Sequence, residues 1–169
     1  MPPALQYPDL VPPPEWTYFR VGAQVRLIPP GTRADTAPVA IIISPLVPRQ
    51  PQMPGPEMLV RMALEAEAQA SFEITAQLGP TPIETDTGLR GVSFDVTGYA
   101  RPSRPVEHRL YVMLADDVCF YGISYLASPG AFETHLATFW HTVHSVRPFA
   151  GRAAAPSTPS VPPAPFAAD

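Results

Sequence analysis

LRGVSFDVTGY (Leu89–Tyr99), VEHRLYVML (Val106–Leu114) and VCFYGISYL (Val118–Leu126) decide how this chain is read. Each stretch alternates apolar and polar residues with a period of two, or is rich in β-branched and aromatic side chains. Each is bounded by residues that break strands, Pro102 to Pro105 between the first two and Asp116-Asp117 between the second pair. Together they predict three consecutive strands joined as an antiparallel meander. Upstream, Trp16 to Val21 and Ala23 to Ile28 read as two strands turned at Gly22. The run Val39 to Ser44 reads as a central strand buried on both faces, and Phe72 to Leu78 reads as a strand ended by Gly79-Pro80.

Two helices complete the pattern. In Glu57 to Ser71, Met58, Leu59, Met62, Ala66 and Ala70 recur at helical spacing behind a first-turn proline, Pro56. After Pro129-Gly130, Phe132, Leu136, Phe139 and Val143 fall on one stripe of a second helix. The order strand, strand, strand, helix, four strands, helix predicts an α+β fold: a mostly antiparallel sheet of about six to seven strands with two main helices packed against it. Proline sets the limits of the domain, with six of the 25 prolines in the first 14 positions and six from Pro148 onward. We therefore expect a proline-rich arm over 1–14, one folded domain over 15–149 and a disordered Pro/Ala-rich tail over 150–169.

Composition excludes several classes of function. The formal charge of −4 is not clustered, which argues against nucleic acid as a partner, since phosphate binding needs a concentrated basic patch. All 11 basic residues are arginine, a bias that points to a GC-rich bacterial genome. The single cysteine, Cys119, excludes an internal disulfide and reads as a small buried hydrophobe. The longest apolar run, Val39 to Ile43, is far short of the roughly 20 residues of a membrane span. Prolines interrupt the N-terminus where a secretory signal would be apolar, so a cytoplasmic location is expected.

The order of elements resembles the PsbP-like fold. The features that carry the resemblance are an aromatic start at Trp16, a helix after the third strand, the turn Gly-Leu-Arg-Gly (Gly88 to Gly91) and the ending Phe139-x5-Ser-Val-Arg-Pro148. It covers roughly Trp16 to Phe149. That superfamily includes photosystem extrinsic proteins, a nuclear Ran-binding factor, DcrB-like lipoproteins and Eag-type chaperones of type VI secretion. With no N-terminal lipidation cysteine, the resemblance implies the cytosolic bacterial branch, whose members look like dimeric chaperones that shelter the hydrophobic helices of a secreted effector.

Chemistry-bearing residues do not assemble into a site by spacing. His135, His141 and His144 share the last helix, but two imidazoles at i and i+3 are short of the three protein ligands of a catalytic zinc, and Glu133 lies more than two turns away. Gly122-Ile-Ser124 resembles half of a nucleophile elbow, yet Leu126 stands where the second glycine belongs. A triad of Ser124, His108 and Asp95 can be written down, but only geometry can support it. Asp116-Asp117 reads as a polar hairpin turn rather than an acid pair.

No catalytic residue, cofactor or metal is therefore assigned. Phe94, Val96, Tyr111, Met113, Phe120 and Tyr121 lie on a sheet that only two helices must cover, which predicts a leftover apolar face. Contiguous exposed apolar surface marks an interaction site. The expected function is a non-enzymatic adaptor or chaperone, with a secretion-system effector as the implied client, a homodimer as the implied state, and Phe94, Tyr111, Met113, Tyr121 and Tyr125 as the partner-binding residues. One alternative is a structural subunit of a larger assembly. Another is a small-ligand or hydrolytic domain using His108, His141 or His144.

Overall fold

The computed structural model of the chain describes residues 4–101 and 105–149. Eight strands, two α-helices and one short 3-10 turn follow in order: β1 Thr17–Val21, β2 Gln24–Ile28, β3 Val39–Ile43, β4 Val47–Pro48, α1 Pro56–Ala70, β5 Phe72–Glu84, β6 Arg90–Ala100, β7 Val106–Ala115, β8 Cys119–Ala127, the 3-10 turn Pro129–Ala131, and α2 Leu136–His144. They form one antiparallel sheet in the order β1-β2-β3-β8-β7-β6-β5, with β4 paired to the start of β8. The chain builds one half as β1 to β3 and crosses with α1 to the far edge. It then returns as the meander β5 to β8 and closes the sheet by laying β8 against β3. The α+β class, the antiparallel sheet and the two helices are those the sequence predicts.

Period-two alternation divides the sheet into two faces, because successive side chains in a strand point to opposite sides. Leu27, Ile41, Leu110, Val112, Tyr121, Ile123 and Tyr125 face one side and bury against Phe139 and Val143 of α2. Phe72, Phe94 and Val96 face the other side and bury against Val60 and Leu64 of α1, with Tyr111 and Met113 packed at the margin. The result is three layers, helix on sheet on helix, with two separate cores.

Three local readings differ from the structure. The strand ended at Leu78 in the sequence reading runs on to Glu84, with a break in register between Leu78 and Thr81. The strand tolerates Pro80 and Pro82 because β5 is an edge, whose outward backbone groups need no ladder partner. In α1 the buried pair is Val60 and Leu64, whereas Met58 and Met62 are exposed. The second helix begins at Leu136. Phe132 precedes it, yet it remains buried and fixed by a hydrogen bond of 2.8 Å from the Tyr125 hydroxyl to its carbonyl.

The described part of the N-terminal arm is tied down. Asp9 bridges to Arg147, Leu46 N donates to Gln6 O at 2.8 Å, and Val11 N donates to Ser145 Oγ at 2.9 Å. The tail expected to be disordered, 150–169, lies outside the described residues. Among the described residues no helix is long and apolar enough to cross a membrane.

A candidate binding cleft beside the first helix

Helix α1 packs on β5, β6 and β7, while α2 and its core close the opposite face. On the α1 side, the part of the sheet formed by β8, β3 and β2 carries a cleft of about 280 Å³, floored by Ile42, Ser44, Gly122 and Ser124. Val60, Ala63 and Glu67 of α1 form one wall, and Gln24 and Arg26 of β2 form the other. A second hollow of about 220 Å³ continues along the strands toward Glu107, Ala37 and Ser128. Arg26 and Leu126 line both, so the two form one trough parallel to the strands.

The α1 wall is held by a charged network. Arg109 on β7 donates from Nη1 to Glu67 Oε2 at 3.1 Å and from Nε to Glu107 Oε2 at 2.9 Å, and its guanidinium lies 3.8 Å from the centre of the Phe72 ring. The Tyr111 hydroxyl donates to the same Glu67 oxygen at 2.6 Å. Period two explains the grouping, since Glu107, Arg109 and Tyr111 sit on one face of β7. Burial pushes the Tyr111 hydroxyl well above its ordinary value, and the hydrogen bond to Glu67 adds to this against the opposing pull of Arg109. For Arg109 burial acts downward, but Tyr111 and Glu107 outweigh it and its pKa rises. The guanidinium is thus a fixed, neutralised cation.

Arg26 differs. It lies opposite Phe19 and Ile42 in the ladder, half-buried, and its Nε is buried with no hydrogen-bond partner. No carboxylate pairs with it among the described residues.

The residues nominated from sequence fall on both faces. Phe94 is 0% exposed beneath α1, and Tyr121 and Tyr125 are 0% exposed beneath α2. These three are core residues and do not form an open apolar face. Only Tyr111 and Met113 reach the cleft. On the α2 face the tyrosine hydroxyls are already engaged. Tyr121 donates to Asp116 Oδ2 at 2.6 Å and accepts from Phe149 N at 2.7 Å, while Tyr125 is raised to about 12 by burial.

The Ser124, His108 and Asp95 triad is not assembled. His108 does pair with Asp95 and stacks on Phe132 at a ring separation of 3.4 Å, but Ser124 lies across from Tyr111 on the opposite face of the sheet. His144 lies near Asp86 and His141 is exposed on α2, so His108, His141 and His144 have different surroundings. No group of three His, Cys, Asp or Glu side chains suited to a metal occurs among the described residues. Cys119 is buried, as its apolar neighbours suggest. Asp116 caps the β7–β8 hairpin, its Oδ1 accepting from Val118 N and Cys119 N at 2.7 and 2.8 Å.

The sequence reading missed Arg26, Glu67 and Arg109. The signal was available: an arginine inside the alternating strand Gln24–Ile28, and the same-face set Glu107, Arg109, Tyr111.

No protein-family model matches the chain, and no curated protein matches it. Among solved structures it is similar to a Pseudomonas aeruginosa protein of unknown function, PA94, described as a candidate regulator. The identity is 12%, over 80% of this chain and 98% of that one, at a TM-score of 0.47. It is also similar to the cyanobacterial PsbP, CyanoP, of Synechocystis. Here the identity is 7%, over 86% of this chain and 95% of that one, again at 0.47.

Proposed function

We propose that the chain is a non-enzymatic binding protein that receives an amphipathic helix of a partner protein in the trough beside α1. One observation carries this reading: α1 covers only the β5–β7 part of its face, and the β8–β3–β2 part bears the trough. Strands lie about 4.8 Å apart, so three of them span about 10 Å, the width of one α-helix with its side chains. A helix lying alongside α1 would complete the layer, with Ile42, Leu126 and Met113 receiving its apolar stripe and Ser44, Ser124 and Gln24 supplying hydrogen bonds. An adaptor or chaperone for a secretion-system effector, working in the cytoplasm as a homodimer, is the setting that the resemblance of the sequence implies.

Site-specific photo-crosslinking tests it. A photoreactive residue at Ser124, in the cleft, and another at the exposed Thr134, before α2, are introduced into the full chain and irradiated in native lysate. The expected outcome is one stoichiometric adduct from position 124, mapped by mass spectrometry to a helical segment, and none from position 134. Equal labelling at both positions, or none at 124, overturns the reading.

A further inference from the structure

We infer that Arg26 is the specificity element of this cleft and that it reads a carboxylate, an Asp or Glu side chain carried on the apolar face of the partner helix. This rests on the helix-binding reading above and goes beyond it by naming the chemistry that the occupant must carry.

Three observations converge on Arg26. Its Nε is buried without a partner, although a buried guanidinium donor left unpaired is costly. It stands where the two halves of the trough meet, so whatever lies along the trough must pass it. The other cation of the cleft, Arg109, is already neutralised by Glu67 and Glu107. The remaining positive charge of the trough is therefore on Arg26, beside a floor of Ile42, Ser44, Gly122 and Ser124.

The same surroundings select among anions. Glu67 and Glu107 line the trough on the far side from Arg26. The two guanidiniums and two carboxylates of the trough balance, so a phosphate would add close to two uncompensated negative charges where a single carboxylate adds one. A single carboxylate pairs with Arg26 one to one and matches its planar fork, with two parallel N–H donors for two oxygens. The floor mixes Ile42 and Leu126 with Ser44 and Ser124, which suits a carboxylate carried on an amphipathic body with an apolar stripe and polar flanks.

Two measurements on the full chain test the inference. The first is the urea midpoint of Arg26→Met in the absence of any partner. A side chain kept for recognition, with its buried Nε unpaired, predicts a midpoint equal to or above that of the wild type, because methionine retains the apolar stem without the unpaired donor. A lower midpoint makes Arg26 a structural residue and overturns the proposal.

The second uses two fluorescein-labelled 20-residue Leu/Ala helices with serines on the polar face, identical except for one central Glu or Gln beside the leucine stripe. Binding is followed by anisotropy. The Glu peptide should bind about tenfold more tightly than the Gln peptide, and Arg26→Met should abolish the difference between them. Equal binding of both peptides to the wild type overturns the carboxylate assignment and leaves the cleft reading intact. Failure of both peptides to bind, together with no crosslink at Ser124, overturns both. Octanoate that competes as well as the Glu peptide would show that a small acid, not a protein helix, is the occupant, and would also overturn the proposal.

Discussion

Arg109→Met should loosen the wall of the cleft by a measurable amount. The guanidinium joins three elements: Glu67 of α1, Glu107 of its own strand β7, and the Phe72 ring at the start of β5. Its side chain is 14% exposed, against 41% for Glu67 and 34% for Glu107. Hydrogen bonds to charged groups contribute about 1.5–3 kcal/mol each when buried, and a cation over an aromatic face adds about 0.5–2 kcal/mol. The two carboxylates can recover water once the arginine is gone, and methionine keeps part of the packing on Phe72, so the net loss is near the value of one such bond plus the ring contact. We expect about 3 kcal/mol, which corresponds to a fall in Tm of about 6–12 °C for a domain of this size. Urea unfolding at pH 7, followed by tryptophan fluorescence, reads it directly. Glu67→Gln, alone and combined with Arg109→Met, supplies the double-mutant cycle and should give a coupling above about 1 kcal/mol. A loss below about 0.5 kcal/mol with additive single mutants would refute the idea that this network holds α1 on the sheet.

Three further outcomes follow from the same geometry. Tyr125→Phe removes the hydroxyl that bonds the Phe132 carbonyl and should cost about 1–2 kcal/mol in urea unfolding, while Tyr125→Asp should fail to give a folded domain by near-UV circular dichroism. Gly79→Ala places a Cβ 2.7 Å from the Ser93 carbonyl at a φ of +112°, and should lower the midpoint by about 1–3 kcal/mol. The Asp116 carboxyl sits below its ordinary value: burial alone would raise it, but the Tyr121 hydroxyl and the backbone N–H groups of Cys119 and Val118 outweigh this. Its stabilising contribution is therefore complete above the unfolded-state value near 3.8 and is lost as pH falls through the lower folded-state value. Urea midpoints of wild type and Asp116→Asn should differ at pH 7 and converge as the pH is taken down to 2.

The meander was legible because β6 alternates cleanly, β7 and β8 are rich in β-branched and aromatic residues, and the strands end at residues with a local reason to turn, such as Asp116, whose carboxylate accepts two backbone N–H groups of the hairpin. Cys119 and the two helices were legible for similar local reasons. What the alternation does not carry is the relation between strands. Tyr111 and Met113 share one parity on β7, and Tyr121 and Tyr125 share one on β8. Whether the two sets face the same side depends on the hairpin register, and a shift of one residue reverses it. The actual register sets Tyr111 against Ser124 and Leu110 against Tyr125, which sends the β8 tyrosines to the α2 core. In α1, Met58/Met62 and Val60/Leu64 are both apolar pairs at i and i+4. Periodicity offers two stripes, and only packing against Phe72 and Phe94 chooses between them.

Among the described residues one buried side-chain nitrogen lacks a hydrogen-bond partner on each side of the sheet: His144 Nδ1 on α2, which has the Asp86 carboxylate 3.5 Å away, and Arg26 Nε beside α1, which has no carboxylate paired with it. Beneath α2, the hydroxyls of Tyr121 and Tyr125 are held by Asp116, Phe149 N and the Phe132 carbonyl. A partner on that side would have to displace existing bonds. Beside α1, Arg109 is saturated, yet Arg26 on the opposite wall has a buried Nε without an acceptor. Folding alone gives no reason to keep a guanidinium there, because an apolar side chain of similar length would cover Ile42 without the desolvation penalty. On the proposed reading this arginine makes the free domain less stable than methionine would, and the carboxylate of a bound helix supplies the acceptor that the described residues do not.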